Sequence, residues 1–144
     1  MPLIGVRGAA LTGEATWQKS EVTDPLTGAQ RRISEFQDVA WNIGFRQDLP
    51  TMTWGASYTG KSAASSYLLR EIDTRRASPS LDAFIEIPLG RRLRLRAAAI
   101  SLLDQAETRD RLFFEPDRRT PESSAERSER APGRWYQLSL LGNI

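Results

Sequence analysis

The chain has 144 residues, 40% hydrophobic and 26% charged, with a formal net charge of only +2. That is enough for one ordinary domain and too mild a balance to argue for nucleic acid. The chain contains neither cysteine nor histidine, which excludes disulfides and thiolate metal sites, and removes the commonest general base, the usual catalytic triads and most zinc sites.

No stretch reaches the roughly 20 apolar residues of a membrane-spanning helix. Residues 1–10 lack the basic-then-apolar pattern of a signal peptide. If the protein is exported, its signal is expected upstream.

The main signal is alternation with period two. In the first segment Ala9, Leu11, Gly13, Ala15 and Trp17 alternate with Ala10, Thr12, Glu14, Thr16 and Gln18. The second sets Val39, Trp41, Ile43 and Phe45 against Asp38, Ala40, Asn42, Gly44 and Arg46. The third sets Met52, Trp54, Ala56 and Tyr58 against Thr51, Thr53, Gly55, Ser57 and Thr59. The fourth has Leu81, Ala83, Ile85 and Ile87 opposite Asp82, Phe84 and Glu86. The fifth has Leu93, Leu95, Ala97 and Ala99 opposite Arg92, Arg94, Arg96 and Ala98, and the sixth Tyr136, Leu138 and Leu140 opposite Trp135, Gln137 and Ser139.

Short and long connections take turns. Asp48-Leu49-Pro50 and Pro88-Leu89-Gly90-Arg91 read as tight turns. The other joins, around Asp24-Pro25-Leu26-Thr27-Gly28, over residues 74–80 and over the charged residues 115–133, read as longer polar loops. This asymmetry is that of outer-membrane barrels, with short periplasmic turns on one rim and long loops outside. Several segments also exceed the roughly five to six residues of an average soluble strand and fit the roughly 9–11 of a tilted bilayer crossing. The expected fold is therefore all-β: about six antiparallel up-and-down strands of a transmembrane barrel, an incomplete one because small membrane barrels start at eight. Alternation alone equally suits a soluble sandwich or lipocalin-like barrel with its apolar face inward.

On the membrane reading Trp41, Ile43, Phe45, Trp54, Tyr58, Leu93, Leu95, Tyr136, Leu138 and Leu140 face lipid. Asp38, Asn42, Arg46, Glu86, Arg94 and Arg96 face the lumen.

One motif points elsewhere. Gly55-Ala56-Ser57-Tyr58-Thr59-Gly60-Lys61-Ser62 matches the phosphate-cradling loop of nucleotide hydrolases, in which Lys61 would reach the phosphates and Ser62 a magnesium ion. The apolar segment 99–104, ending at Asp104, would then supply a metal-binding carboxylate, and residues 63–73 the following helix. Against it, the preceding Thr51-Met52-Thr53-Trp54 alternates, whereas a parallel strand buried on both faces is continuously apolar. Ser62-Ala63-Ala64-Ser65-Ser66 is also a weak helix start. The preferred reading puts Gly60, Lys61 and Ser62 near the outer end of a strand. Asp38, Glu86 and Asp104 are candidate acid–base carboxylates and Arg92, Arg94 and Arg96 candidate anion ligands; a solvated or lumen face accounts for both sets. No catalytic residue, cofactor or metal is expected.

The chain resembles the C-terminal barrel segment of TonB-dependent outer-membrane receptors. The resemblance is carried by Thr23-Asp24-Pro25-Leu26-Thr27-Gly28, Phe45-Arg46-Gln47-Asp48-Leu49-Pro50, Trp54-Gly55-Ala56-Ser57 and Leu81-Asp82-Ala83-Phe84-Ile85-Glu86. Leu93-Arg94-Leu95-Arg96 leading to Leu102-Leu103-Asp104, and Gly133-Arg134-Trp135-Tyr136-Gln137-Leu138-Ser139-Leu140, complete it. It implies a plugged barrel of about 22 strands in the bacterial outer membrane, taking up a scarce nutrient such as an iron-siderophore with energy delivered through TonB. It also implies that the plug and most of the barrel lie outside this chain. Partners on this reading are outer-membrane lipid, the rest of the barrel and plug, TonB and a small ligand. Ile144 departs from the aromatic residue on which such barrels usually end.

Overall fold

The structure is a computed structural model describing residues 6–142; the expectations for residues 1–5 and for Ile144 lie outside the described residues. Among the described residues there is no helix. Twelve strands form three antiparallel sheets.

The largest sheet has six strands, and they are the six alternating segments. They are β1 (Ala9–Trp17), β4 (Val39–Asp48), β5 (Thr53–Lys61), β8 (Ser80–Pro88), β9 (Leu93–Ile100) and β12 (Trp135–Gly142), adjacent in that order. Each pairs antiparallel with the next, so the sheet is an up-and-down meander. The short turns lie at one end. Leu49 N–H donates to the Met52 carbonyl at 2.8 Å, and Leu89 N–H to Leu93 at 2.8 Å around Gly90, whose φ of +94° suits a residue without Cβ. All three long connections lie at the other end. β1 and β12 are the outermost strands and do not pair with each other, so the described sheet is open.

The long connections are not the loops that the sequence suggested. β6 (Ala64–Tyr67) and β7 (Glu71–Arg76) form a hairpin above β5 and β8, while β10 (Glu107–Phe114) and β11 (Glu122–Arg130) form one above β9 and β12. β7 pairs with β10, giving a four-stranded sheet in the order β11-β10-β7-β6. This outer sheet repeats the order of the strands below it. The first connection holds a two-residue hairpin, β2 (Val22–Thr23) with β3 (Gln30–Arg31). Residues 74–80 and 115–133 are therefore partly strand. They escape an apolar/polar reading because both of their faces carry charge.

The registers place the alternating sets together. Residues directly opposite across an antiparallel pair share a face. Leu11↔Phe45↔Ala56↔Ala83↔Ala99↔Tyr136 is one row, and Ala9↔Gln47↔Trp54↔Ile85↔Ala97↔Leu138 the next. Carried across the sheet, one face holds no charged residue. The opposite face carries Glu14, Arg46, Asp48, Lys61, Asp82, Glu86, Arg94 and Arg96.

Among the described residues nothing covers the uncharged face. Ala9 is the only buried apolar side chain among the described residues, while Ile43 is 50% exposed and Leu138 71%. A soluble sandwich presses two apolar faces into a shared core; the described residues hold no second apolar face against this one.

Candidate functional site

Three places in the molecule gather chemistry-bearing side chains: the charged wall of the large sheet, a node joining the outer connections, and a pocket beside β1.

On the wall, Arg46 donates to the Asp48 carboxylate at 3.0 Å and Thr53 Oγ1 to the same carboxylate at 2.7 Å. In the same row Arg96 meets Glu86 at 2.9 Å, and Glu86 is only 8% exposed. Phe84 lies between the two arginines, whose guanidinium carbons stand 4.4 Å (Arg96) and 6.0 Å (Arg46) from its ring centre. The ring also covers Gly55: a Cβ there would lie 2.7 Å from Phe84 Cε1 and 2.6 Å from the Phe45 carbonyl oxygen. Only glycine fits that approach. The predicted wall residues Asn42, Arg46, Glu86, Arg94 and Arg96 thus share one face. Arg92 sits in the short turn before β9, and Asp38 just precedes β4 at its outer end.

On the other face Trp41, Ile43, Phe45, Trp54, Tyr58, Leu93, Leu95, Tyr136, Leu138 and Leu140 stand together. Trp17, Trp41, Tyr58 and Tyr136 lie near the long-connection ends of their strands. Phe45 and Trp54, with ring centres 4.8 Å apart, lie toward the short turns. Between Trp54 and Leu138 an open groove of about 560 Å³ runs over a floor of Ala56, Ala83, Ala97 and Ala99.

The phosphate-loop motif takes no loop form. Gly55 to Lys61 lie extended in β5, with their backbone groups facing the ladders to β4 and β8. Gly60 packs under the Trp41 indole, where a Cβ would come within 2.1 Å of the ring. Ser62 Oγ accepts from the backbone N–H groups of Asp38 (2.9 Å) and Val39 (3.2 Å). The stretch proposed for the following helix forms β6 and β7. Asp104 turns the chain from β9 toward β10 with φ +47° and accepts from Gly133 N–H at 3.0 Å. Asp38, Glu86 and Asp104 each have a different neighbourhood and do not form an acid–base pair. Among the described residues no group of three carboxylates is placed to hold a metal.

The outer node was not visible in the sequence. Asp24 is 1% exposed and accepts from Leu26 N–H (2.8 Å) and Thr27 N–H (3.2 Å) in its own turn. Its other oxygen meets Arg31 Nε at 2.6 Å and Arg118 Nη1 at 2.8 Å. Both guanidinium groups stack on Tyr67 of β6, at 4.6 and 5.7 Å. Arg118 also donates its backbone N–H to Leu69 and its side chain to Leu68. One carboxylate therefore ties all three long connections. The Arg118 hydrogen bond, opposed by burial, holds the Asp24 carboxyl far below the usual range.

Charge pairing continues through the outer sheet. Arg109 binds Asp73 at 2.8 Å, and Arg111 bridges Glu71 (2.6 Å) and Glu126 (3.2 Å). On the reverse face Asp110 meets Arg76 and, at 3.8 Å, Arg127. Arg109 lowers the Asp73 pKa and Arg111 that of Glu71, while Arg119 brings Asp117 down to about 2. The available sequence signal was alternation of opposite charges, as in Glu107-Thr108-Arg109-Asp110-Arg111.

Beside β1, a pocket of about 360 Å³ is lined by Trp17, Gln18, Lys19, Ser20, Glu21, Gln30, Arg31, Arg32 and Asp38. Arg32 holds Asp38 Oδ2 at 2.7 Å.

No family model, curated protein or solved structure matches the chain.

Proposed function

We propose that the chain forms part of the wall of an outer-membrane β-barrel, of the TonB-dependent receptor type, serving uptake of a scarce nutrient such as an iron-siderophore. The observation that carries this reading is the uncharged face, assembled in register across six strands and left uncovered. In water such a face is an unburied hydrophobic surface; in a bilayer it is the surface that meets lipid. Aromatic residues near both strand ends match the interfacial girdles of such barrels. Strands of eight to ten residues suit a tilted crossing. Among the described residues no helix is long and apolar enough to cross a membrane. On this reading the charged wall faces the lumen and plug, further strands of the barrel continue beyond β1 and β12, and the outer connections meet the ligand.

The test is far-UV circular dichroism in buffer, in detergent micelles, and in buffer with magnesium and ATP. The expected result is strand signal chiefly in detergent, with aggregation in buffer. A stable β spectrum in plain buffer would sink the membrane reading. A melting temperature raised by ATP would restore the nucleotide reading.

A further inference from the structure

We infer that the short turn between β8 and β9 is an anchor for an anionic phospholipid, with Arg91 and Arg92 holding the headgroup phosphate. On the wall reading, on which this rests, the short-turn end of the large sheet lies at a bilayer interface.

Charge is spread unevenly along the strands. Near the short turns Arg46 is taken by Asp48 at 3.0 Å, and Arg96 by Glu86 at 2.9 Å. Arg7 joins this end because Asp48 N–H donates to the Gly8 carbonyl at 2.7 Å. Arg7, Arg91, Arg92 and Arg94 are exposed there, and none of them meets a carboxylate among the described residues. For Arg94 the register gives the reason: its cross-strand neighbours are Pro88 and Leu141, whereas Arg96 stands opposite Glu86. These unpaired cations gather at one end of a chain whose formal net charge is only +2. In the long connections Arg31, Arg109, Arg111 and Arg118 each reach a carboxylate within 2.8 Å. The short-turn end instead presents an uncompensated positive field, which draws an anion from outside the chain.

The turn holds two of these cations together. Leu89-Gly90-Arg91-Arg92-Leu93 is closed by Leu89 N–H donating to the Leu93 carbonyl at 2.8 Å, and Gly90 takes the sharp step with φ +94°. Arg91 and Arg92 therefore share the tip. A guanidinium offers a planar fork of donors that matches phosphate oxygens.

The rest of the turn decides which phosphate. Leu89 is 49% exposed and Leu93 42%, although turn tips ordinarily carry Gly, Pro, Asn, Asp or Ser. A dissolved phosphate gains nothing from bare leucines; a phospholipid brings acyl chains with its headgroup. The leucines run on into the row Ile87↔Leu95↔Leu140 of the uncharged face. Arginines and uncovered apolar surface thus meet along one line, the arrangement by which cationic side chains anchor at a membrane surface.

The experiment is flotation of the full chain, refolded from detergent, with vesicles of phosphatidylcholine alone and of phosphatidylcholine with phosphatidylglycerol. Far-UV circular dichroism confirms that each variant keeps its strand signal. We expect tighter association with the phosphatidylglycerol vesicles, and a gain that falls about fivefold for each of Arg91→Gln and Arg92→Gln. In the parent chain, without any substitution, sodium chloride should remove the same gain. Arg75→Gln combined with Arg127→Gln changes the net charge equally in the outer sheet and should leave the gain in place. An equal loss in that control overturns the site, as does equal association with both vesicles. Removal of the preference by inorganic phosphate or by polyglutamate, at matched ionic strength, overturns the lipid in favour of a dissolved anion or an acidic protein. Insertion without any phosphatidylglycerol preference ends the anchor and leaves the wall reading standing. Phosphatidylglycerol preference in a chain that is also a stable β protein in plain buffer sinks the wall reading and keeps the headgroup site.

Discussion

The large sheet and the outer sheet are built from continuous stretches of the same chain, in the same strand order, yet they solve opposite problems. Below, charge is confined to one face, and the other face is uncharged over six strands. Above, both faces carry charge, and Glu71, Asp73, Asp110, Glu126 and Glu129 each meet an arginine. A sheet that is wet on both sides gains little from apolar burial, so its order rests on ladders, cross-strand ion pairs and the Asp24 node. The lower sheet has almost no buried core of its own. On the proposed wall reading, lipid covers its uncharged face. The strand that borders the outer sheet, β11, is guarded by Glu122, Glu126, Arg127, Glu129 and Arg130, the charged-edge device that suppresses unwanted pairing.

The sharpest way to break this comparison is to place one charge in each region. Ile43→Arg, in the middle of β4 on the uncharged face, is expected to cost about 2–4 kcal/mol in lipid vesicles. Ala125→Arg in β11 is expected to stay within about 0.5 kcal/mol. Denaturant unfolding in vesicles measures both, and equal costs would erase the distinction between the sheets.

Close approach is the next difference. Gly55→Val drives a side chain into Phe84 and the Phe45 carbonyl, and Gly60→Val into the Trp41 indole. Each is expected to cost about 1–3 kcal/mol by overpacking. Trp41→Ala should relieve the Gly60 variant and leave the Gly55 variant unchanged, which a double-mutant cycle would show.

Acid separates the sheets in another way. Asp24, Glu71, Asp73 and Asp117 of the outer region have lowered pKa values, through Arg118, Arg111, Arg109 and Arg119 respectively. Because their folded values lie below the unfolded ones, their contribution is complete above ordinary carboxylate pKa values. It is lost as pH falls through the folded values, about 2 for Asp117. Hydrogen exchange should therefore show β6, β7, β10 and β11 losing protection below about pH 4, before the uncharged rows of the large sheet. Simultaneous loss would mean that the outer ion pairs do not hold the outer sheet.

The smallest effect is expected from Lys61→Ala, at the exposed end of β5. Stability should change by less than about 0.5 kcal/mol, and magnesium with ATP should leave the melting temperature unchanged for parent and variant alike. An ATP-dependent rise lost with Lys61 would reverse the assignment of that stretch.

All six strands of the large sheet were legible because period-two alternation survives only where two faces meet different surroundings. Segments such as Val39-Ala40-Trp41-Asn42-Ile43 could be read directly for that reason. The boundaries moved slightly: Thr51 and Met52 belong to the turn, and Arg92 precedes β9. The four outer strands were illegible because a strand wet on both faces has no apolar period, and Glu122-Ser123-Ser124-Ala125-Glu126 reads as a solvated loop.

By itself, then, the sequence determined the strands whose faces differ, the alternation of short and long connections, and the absence of cysteine and histidine chemistry. These follow from local pattern and composition. The tertiary structure alone decided the register that gathers six separate alternations into one uncharged face. It also brought Asp24, Arg31, Tyr67 and Arg118 to one node, and Trp17, Arg32 and Asp38 to one pocket. Those contacts join residues far apart in the chain, and no local period encodes which strand lies beside which, or how far it slides.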